Sequence, residues 1–549
     1  MRRSIFLAAA CLCGSLAWGQ TVNTNVGGFG LWQDVLQYSD LYSSSTARMN
    51  GISGAQAGLG ADAGSAATNP AGLALMRRSE FTFSPALIAT NTRNTTRGYD
   101  TTGRGSNFHI GQMGLVIASP TSDAVAGRLR GQTFAITLSR INHFNNLRPF
   151  STGADGVPNR TGNIIQPNSL VDYYLGLAGQ TFAANDPNAS NRAAEVLNTS
   201  IINNQGMTQP EFEVRSGFSQ FLIDAGTDQN GNINFFSNVP TGRIRQSGRI
   251  LDRGYQNQVD FAYGINLDDR TMLGGSLAIP YLNHTRDILY QERLLAVDSV
   301  QNAYARQYEG FSLQRRETFR SSGVGFNAKF GVLHALSDNV RFGASIQTPS
   351  WYRVNTEYSF SLDANFVGNG GRPIYYSDFG TDSAFQPLTA APREAIYRIV
   401  RDRYSMRTPG NLTAGLTFLD SKYGFLSIQA TALQYGRARL GGDAYQADND
   451  FLRANVHNFT TQLRLGGEAL LGPLFRARAG LAWLQNPFKG AGDTWTYSVG
   501  GGARFRTWYL DASVNVFQRR QNYQVFTFAQ NTGSLSNNVL TQITLGSAF

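Results

Sequence analysis

The chain has 549 residues and a formal charge of +10, with 42% hydrophobic and only 15% charged residues. No concentrated basic stripe accompanies that mild excess, so a nucleic-acid partner is excluded. Both cysteines, Cys11 and Cys13, lie in the first twenty residues, so a processed chain has no disulfide, thiolate metal site or cysteine nucleophile.

Arg2 and Arg3 precede a short apolar run from Ile5 to Leu16, and Ala17-Trp18-Gly19 supplies small residues for cleavage. This predicts a signal peptide over 1–19 and a mature chain starting at Gln20 with a charge of +8. A lipoprotein signal acylated at Cys11 or Cys13 is the rival, but neither has Leu three positions earlier. No later apolar run reaches the roughly 20 residues of a membrane helix. An exported chain without helical anchors is periplasmic, secreted or an outer-membrane barrel.

Residues 20–78 do not alternate. Gly30 to Tyr42 predicts a short amphipathic helix with Leu31, Trp32, Val35 and Leu36 near one face. A Gly/Ala-rich tract follows and ends in Asn69-Pro70-Ala71. Asn caps helices and Pro suits the first helical position, which predicts one short helix from Pro70 to Met76. Small residues let backbones approach closely, as a segment packed inside a confined lumen requires.

From Glu80 onward the pattern has period two. Trp508, Leu510, Ala512, Val514 and Val516 alternate with Tyr509, Asp511, Ser513 and Asn515. Phe475, Ala477, Ala479, Leu481 and Trp483 share one face, with Arg476 and Arg478 on the other. Full charges on the polar face and aromatics at strand ends favour a membrane barrel over a soluble sandwich. About fourteen antiparallel strands are predicted, near 80–90, 107–119, 131–144, 256–267, 271–284, 318–336, 339–362, 407–419, 423–440, 455–470, 474–486, 495–506, 508–524 and 537–549. Connections divide into short ones at 268–270, 337–338, 420–422, 472–473 and 506–507, and long ones across 145–255, 285–317, 363–406, 441–454 and 525–536. Strict alternation of the two classes predicts short periplasmic turns, long outer loops and both barrel ends in the periplasm. Val539, Thr541, Ile543, Leu545, Ser547 and the terminal Phe549 form the closing strand by which the barrel-assembly machinery recognises such proteins.

A Gly/Ala-rich segment ending in Asn69-Pro70-Ala71-Gly72 before strand one of such a barrel resembles the FadL/TodX family of outer-membrane transport proteins. Gln37-Tyr38-Ser39, Thr46-Ala47-Arg48 and Arg77-Arg78-Ser79-Glu80-Phe81 look like its Bacteroidetes-type branch. The resemblance implies three regions: signal peptide 1–19, an N-terminal hatch 20–78 inside the lumen, and a barrel over 79–549. It implies passive uptake of hydrophobic compounds such as long-chain fatty acids or aromatic hydrocarbons, by loop capture, hatch rearrangement and sideways exit at a kinked third strand. Neither hydrolysis, metal nor cofactor belongs to that chemistry, and a monomer in outer-membrane lipid is expected. Gln132 to Ile141 contains no Gly or Pro to mark the kink, and the loop 145–255 is unusually long. The alternative is a barrel scaffold resembling PorV, which shuttles proteins in type IX secretion. A general porin would need an open lumen, which the segment 20–78 argues against.

Three groups stand out as candidate sites. Leu175, Leu177, Phe218, Phe221 and Leu222 are either a greasy capture groove or the long loop's own core. Asp228-Gln229-Asn230-Gly231-Asn232 resembles a calcium loop without its twelfth-position acid, and a polar turn is the simpler assignment. Arg464, Arg476, Arg478, Arg504 and Arg506 point to the lumen near the turns, with Glu468 among them. They hold the hatch through Asp34, Asp40 or Asp62, offer a station for an anionic head group, or pair structurally. No Gly-x-Ser-x-Gly, His-Glu-x-x-His or P-loop pattern occurs, and His109, His143, His284, His334 and His457 are scattered.

Overall fold

The computed structural model describes residues 24–25, 32–40, 45–121, 128–158, 160–161, 166–167, 169–182, 188–198, 207–227, 233–237, 239, 242–297, 308–368, 396–525 and 531–549. The signal segment 1–19 and the calcium-like stretch Asp228 to Asn232 lie outside the described residues.

Fourteen antiparallel wall strands follow in chain order. They are β1 (Glu80–Thr96), β2 (Tyr99–Pro120), β3 (Leu129–His143), β4 (Gly242–Leu267), β5 (Thr271–Val297) and β6 (Tyr308–Ala335). β7 runs in two parts, Val340–Gln347 and Trp351–Gly368, as does β8, Ile396–Arg407 and Asn411–Asp420. The remainder are β9 (Gly424–Leu433), β10 (Thr460–Leu471), β11 (Phe475–Leu484), β12 (Thr494–Arg504), β13 (Trp508–Gln524) and β14 (Thr532–Ala548). Each pairs with its neighbour, and β14 returns to β1 with Leu545 opposite Phe83, so the sheet closes. Closure leaves no terminal edge strand, as a sheet in hydrocarbon requires.

Alternation fixes the faces. Leu277, Val324, Phe330, Ile346, Leu412, Ile428 and Val499 point outward and are 50–60% exposed. Such a continuous apolar belt on a water-soluble surface would be an aggregation site; in a bilayer it is the lipid face. Aromatics border it, with Tyr423, Phe475, Trp508 and Phe549 at one end and Phe108, Trp351 and Phe459 at the other. Among the described residues no helix is long and apolar enough to cross a membrane.

The strands outrun their predicted lengths at one end, which we call the loop end. β4 begins at Gly242 rather than 256, and β5 continues to Val297 rather than 284. Strict alternation of connection length is also corrected at the first hairpin. β1 and β2 join at the loop end through Arg97-Gly98 alone, both at positive φ (48° and 85°), with Thr96 opposite Tyr99. A two-residue turn with two left-handed positions matches the strand twist, so the hairpin needs no long loop.

The connection after β3 carries α3 (Leu170–Thr181), α4 (Ala189–Asn198) and α5 (Gln209–Ser219) in a small dome. Ser169 with Asp172, and Thr208 with Glu211, close reciprocal capping boxes on α3 and α5. The dome's apolar face packs on inward residues of the wall, among them Ile250, Ile288, Leu313 and Phe360. Inside the barrel, α1 (Trp32–Ser39) lies toward the loop end, and α2 (Ala47–Asn50) and two 3₁₀ turns, Ala63–Ala67 and Pro70–Leu75, lie toward the turn end. Of the helix expected over 30–42, the described residues carry Trp32–Ser39, and the one expected from Pro70 to Met76 is a 3₁₀ turn, Pro70–Leu75.

Candidate functional site: the barrel lumen

The lower lumen is filled by residues 45–78, and the wall makes room for them with glycine. A Cβ on Gly343 would sit 1.9 Å from the Ala57 carbonyl oxygen, and one on Gly331 1.9 Å from Asn69 Oδ1. The same replacement at Gly274 would meet Ala71 N at 2.4 Å, at Gly466 Ile52 O at 2.4 Å, and at Gly480 the Ile52 carbonyl carbon at 2.3 Å. Inward-facing glycines on five strands thus contact the lumen segment directly, four of them at its backbone and Gly331 at the Asn69 side chain.

That backbone is irregular, so its polar groups need partners in place of a ladder. The wall supplies them: Gln429 Oε1 accepts from the N–H groups of Gln56 (3.1 Å) and Ala57 (3.0 Å). Thr544 Oγ1 accepts from Ala47 N (2.7 Å), and Asn515 Nδ2 donates to Asn50 O (2.7 Å). Asn69 is a junction. Its Oδ1 accepts from Ala71 N at 3.3 Å, and its Nδ2 donates to Ala57 O at 2.8 Å and to Val332 O of β6 at 3.2 Å. Pro70 and Ala71 follow in the 3₁₀ turn, both buried.

The arginines divide. Arg478 is fully buried and bridges Glu468 at 2.6 Å and Asp511 at 2.7 Å, and Arg504 reaches Asp511 at 2.9 Å. Arg464 donates to the Ser53 carbonyl at 3.1 Å. Arg476 instead folds over the turn carbonyls of Gly472 and Phe475, and Arg506 is exposed in the turn after β12. The cluster meets none of Asp34, Asp40 and Asp62. The contact with the lumen segment has the opposite polarity: Arg48 of α2 approaches Glu468 of the wall at 3.6 Å. Asp62 stays within its own segment, accepting from Thr46 Oγ1 and Gly64 N, both at 2.8 Å. Its carboxyl is pushed up by burial against the pull of Arg48.

The upper lumen is organised differently. Trp32 of α1 packs on Phe451 (ring centroids 4.4 Å) and Phe488 (6.0 Å), held by α6 (Gln446–Asn455) and the connection after β11. Its other face is polar. Gln33 and Gln37 accept from Arg286 (3.1 and 2.8 Å), and Arg286, Arg148 and His284 all converge on Asp252 (2.7, 2.5 and 3.0 Å). Asp34 accepts from the Tyr404 hydroxyl, and Asp40 pairs with Arg519. Burial pushes the Asp34 carboxyl above its usual range, opposed by the Tyr404 hydrogen bond and by His284 and Arg286.

Beside α1 lies a cavity of about 360 Å³. Trp32, Leu36, Phe488 and Phe517 supply apolar lining, and Arg148, Arg286, Arg464 and Arg519 supply charge. Asn142 to Asn146 of the third strand and its continuation form one side. There the wall is interrupted. β2 and β3 pair from Pro120↔Gly131 up to Gln112↔Ser139 and no further. On the β1 side the register shifts between Ser84 and Pro85, leaving Gly111 as the extra residue. Beyond Phe144, the segment Asn146–Ser151 passes behind the first hairpin, where Thr101 donates to Pro149 O at 2.6 Å. Gln132 to Ile141, without Gly or Pro, nonetheless ends in a bulge, Ile141 being the extra residue opposite Gln256 and Asn257 of β4, and Gly111 is a second irregularity on the partner strand. α1 touches this seam, since Gln37 O accepts from Asn142 at 2.9 Å and Tyr38 packs edge-on to Phe144 at 5.5 Å.

The apolar loop residues lie above, in the dome. Leu222 and Phe218 are buried in its core, and Leu175, Leu177 and Phe221 are half-buried against it. Among the described residues no cluster of three or more His, Cys, Asp or Glu could hold a metal. Sequence reasoning missed the wall glycines, whose signal was recurrence near the turn end of successive strands.

No family model and no curated relative matches the chain. Among solved structures it is similar to the P. putida toluene transporter TodX, at 11% identity and TM-score 0.48, covering 92% of this chain and 99% of that one. A Pseudomonas aeruginosa FadL homologue matches at 11% identity and TM-score 0.48, covering 92% and 98%. The Ralstonia pickettii toluene transporter TbuX matches at 12% and 0.47, covering 92% and 99%.

Proposed function

We propose that the protein is a passive outer-membrane channel for hydrophobic compounds, long-chain fatty acids or similar amphiphiles, with the loops outside and both barrel ends in the periplasm. One observation carries the proposal: the cavity beside α1 has a packed floor below it and the unpaired β2–β3 seam at its side. A straight path through the barrel is blocked by 45–78, whereas a path through the seam leads from the cavity to the lipid face. An apolar molecule gains by that route, because it leaves the wall without crossing water.

In this reading residues 20–78 are the hatch, Asn69, Pro70 and Ala71 fix its last turn, and the dome, with Phe218 and Leu222 in its core and Leu175, Leu177 and Phe221 packed against it, covers the approach. α1 is the moving part. Its contacts with Asn142 and Phe144 join the cavity to the seam, so displacing it alters both. The arginines beside the cavity suit the head of an amphiphile and the Trp32–Leu36 side suits its tail.

The mature chain has no cysteine, so a cross-link can be placed without ambiguity. A Cβ on Gly105 would lie 4.0 Å from Asn145 Cγ, which brings the two positions close to disulfide range. Gly105→Cys with Asn145→Cys, oxidised, should stop oleate uptake by cells carrying the variant, and reduction should restore it. Uptake unchanged by the cross-link would overturn the lateral route, and the absence of any lipid bound to the wild-type barrel in native mass spectrometry, with normal uptake in a deletion strain, would overturn the channel itself.

A further inference from the structure

On the outside of the barrel, at the loop-end edge of the apolar belt, five arginines of β7, β8 and the chain after β9 share one patch. Register sets their spacing. Trp351 stands opposite Arg407, and Arg407 opposite Arg439, so these three form one row across the strands. The next row up has Arg353 opposite Ser405, and the next has Asn355 opposite Arg403. Directly paired residues have Cβ atoms about 5 Å apart and diagonal neighbours about 7–8 Å. Arg437, in the turn Tyr435–Arg437, is exposed beside Arg439. Arg437 and Arg439 both act on Arg407 as like charges.

The neighbouring exterior arginines are neutralised and these are not. Arg320 and Arg401 share Glu357 at 3.2 and 3.0 Å, Arg316 is held by Asp287, and Arg93 by Asp100. Among the described residues no carboxylate forms an ion pair with Arg353, Arg403, Arg407, Arg437 or Arg439; the Arg403 guanidinium donates to Asn355 Oδ1 at 2.7 Å, and its backbone N–H to the Asp402 carboxylate at 2.7 Å. Directly below are Ile346 (55% exposed), Leu412 (57%) and Ile428 (50%). Five guanidinium groups held together at that height repel one another unless an anion lies among them. Trp351 beside them is 48% exposed, the placement of an interfacial aromatic.

We propose that this patch binds the phosphate groups of a phosphorylated lipid headgroup in the leaflet that faces the loops, with the acyl chains lying on Ile346, Leu412 and Ile428. Guanidinium groups take phosphate oxygens through paired hydrogen bonds, and a patch of several charges at the headgroup level discriminates strongly against zwitterionic lipid. Apolar contact below and anion contact above point to an amphiphile in the membrane rather than a free ion. The proposal rests on the membrane placement of the belt and is independent of what the lumen carries.

The test is native mass spectrometry of the full barrel in a phosphate-free detergent, with a bis-phosphorylated diglucosamine lipid as probe. Its dephosphorylated form, a zwitterionic phosphatidylcholine and inorganic phosphate are the comparison arms. We expect a retained adduct of the bis-phosphorylated lipid alone. The variant Arg353→Ser, Arg407→Ser, Arg437→Ser, Arg439→Ser should lose it by about tenfold or more, while the four Arg→Lys replacements keep part of it because charge without the fork remains. The heat-modifiable gel shift of the folded barrel reports whether each variant is intact. Equal retention of the dephosphorylated lipid, competition by inorganic phosphate at the lipid's own concentration, or undiminished binding by a folded serine variant would each overturn the proposal.

Discussion

The two halves of the lumen are built on opposite principles. Toward the turn end, residues 45–78 touch the wall backbone to backbone, with glycine on the wall, glycine and alanine on the segment, and side-chain amides completing the hydrogen bonds. Toward the loop end, α1 meets the wall through long polar side chains, and a cavity remains beside it. Backbone contact at van der Waals distance leaves no alternative arrangement of similar energy, because interiors resist both voids and overpacking. Side-chain networks around a cavity do have alternatives. The lower half is therefore the fixed floor and the upper half the part free to rearrange.

Removing the charge at the centre of the floor should have the largest effect. Arg478→Ala leaves Glu468 and Asp511 buried without their shared cation, a change that costs about 3–5 kcal/mol when a buried pair is broken. Arg476→Ala, two residues away on the same strand, loses only hydrogen bonds to turn carbonyls and should leave thermal unfolding of the barrel almost unchanged. Comparable losses in the two variants, measured by circular dichroism on heating in detergent, would mean that the cluster acts as one unit after all.

Next in size is the glycine contact. Gly343→Val puts a branched side chain where the Ala57 carbonyl lies, and forcing atoms into a packed site costs about 1–3 kcal/mol. The expected outcome is new protease cleavage within 50–60 while the barrel still closes, since β7 keeps its ladder. Gly275→Val on β5 is the control, because Gly275 faces outward and its Cβ would meet only Phe330 ring atoms at 3.8 Å and Lys329 O at 3.9 Å. If both variants stay equally protected, the floor is not held by close approach.

This contrast also explains what could be read from the chain. The wall was legible because lipid on one side and a polar lumen on the other impose strict period two, as in Trp508 to Val516. Above the membrane that contrast ends: β4 from Gly242 to Tyr255 carries Arg243, Arg245, Arg249 and Arg253 outward and Gln246 and Asp252 inward, so polar residues occupy both faces. The extensions of β4 and β5 were therefore invisible. Asn69-Pro70 was legible as a cap because capping is local chemistry. The partners of Arg478, Arg48 and Asp34 were not, since sequence gives the inward face of an arginine but not the strand whose carboxylate it meets. The seam at Gly111 was hidden for the same reason: a bulge is a property of two strands.

A smaller effect is expected at the junction between floor and wall. Asn69→Ala removes the cap on the 3₁₀ turn together with the donors to Ala57 O and Val332 O. Cap removal alone costs about 0.5–2 kcal/mol. Hydrogen exchange should rise over 57–75 and stay unchanged over α1. Asn69→Asp keeps the acceptor for Ala71 N and loses both donors, so it separates the cap from the cross-link to β6.

The smallest and most local effect should be found at α1, where the two halves differ in kind. Burial raises the Asp34 carboxyl above its ordinary value of 3.8, opposed by the Tyr404 hydrogen bond and by the charges of His284 and Arg286. A carboxyl with a raised value when docked binds its proton more tightly than the undocked chain does. Its contribution to docking is thus greatest at acid pH and declines as pH rises from the ordinary carboxylate value through the raised one. Exchange over 32–39 should accordingly quicken with pH beyond the intrinsic rate, and Asp62, whose carboxyl burial also raises, should give 47–75 a dependence of the same sign. Asp34→Asn has nothing to ionise and should flatten the profile for α1 alone. A profile in the variant as steep as in the parent would place the pH sensitivity of the upper lumen in the Asp252–His284–Arg286 group instead, and with it the joint on which α1 turns.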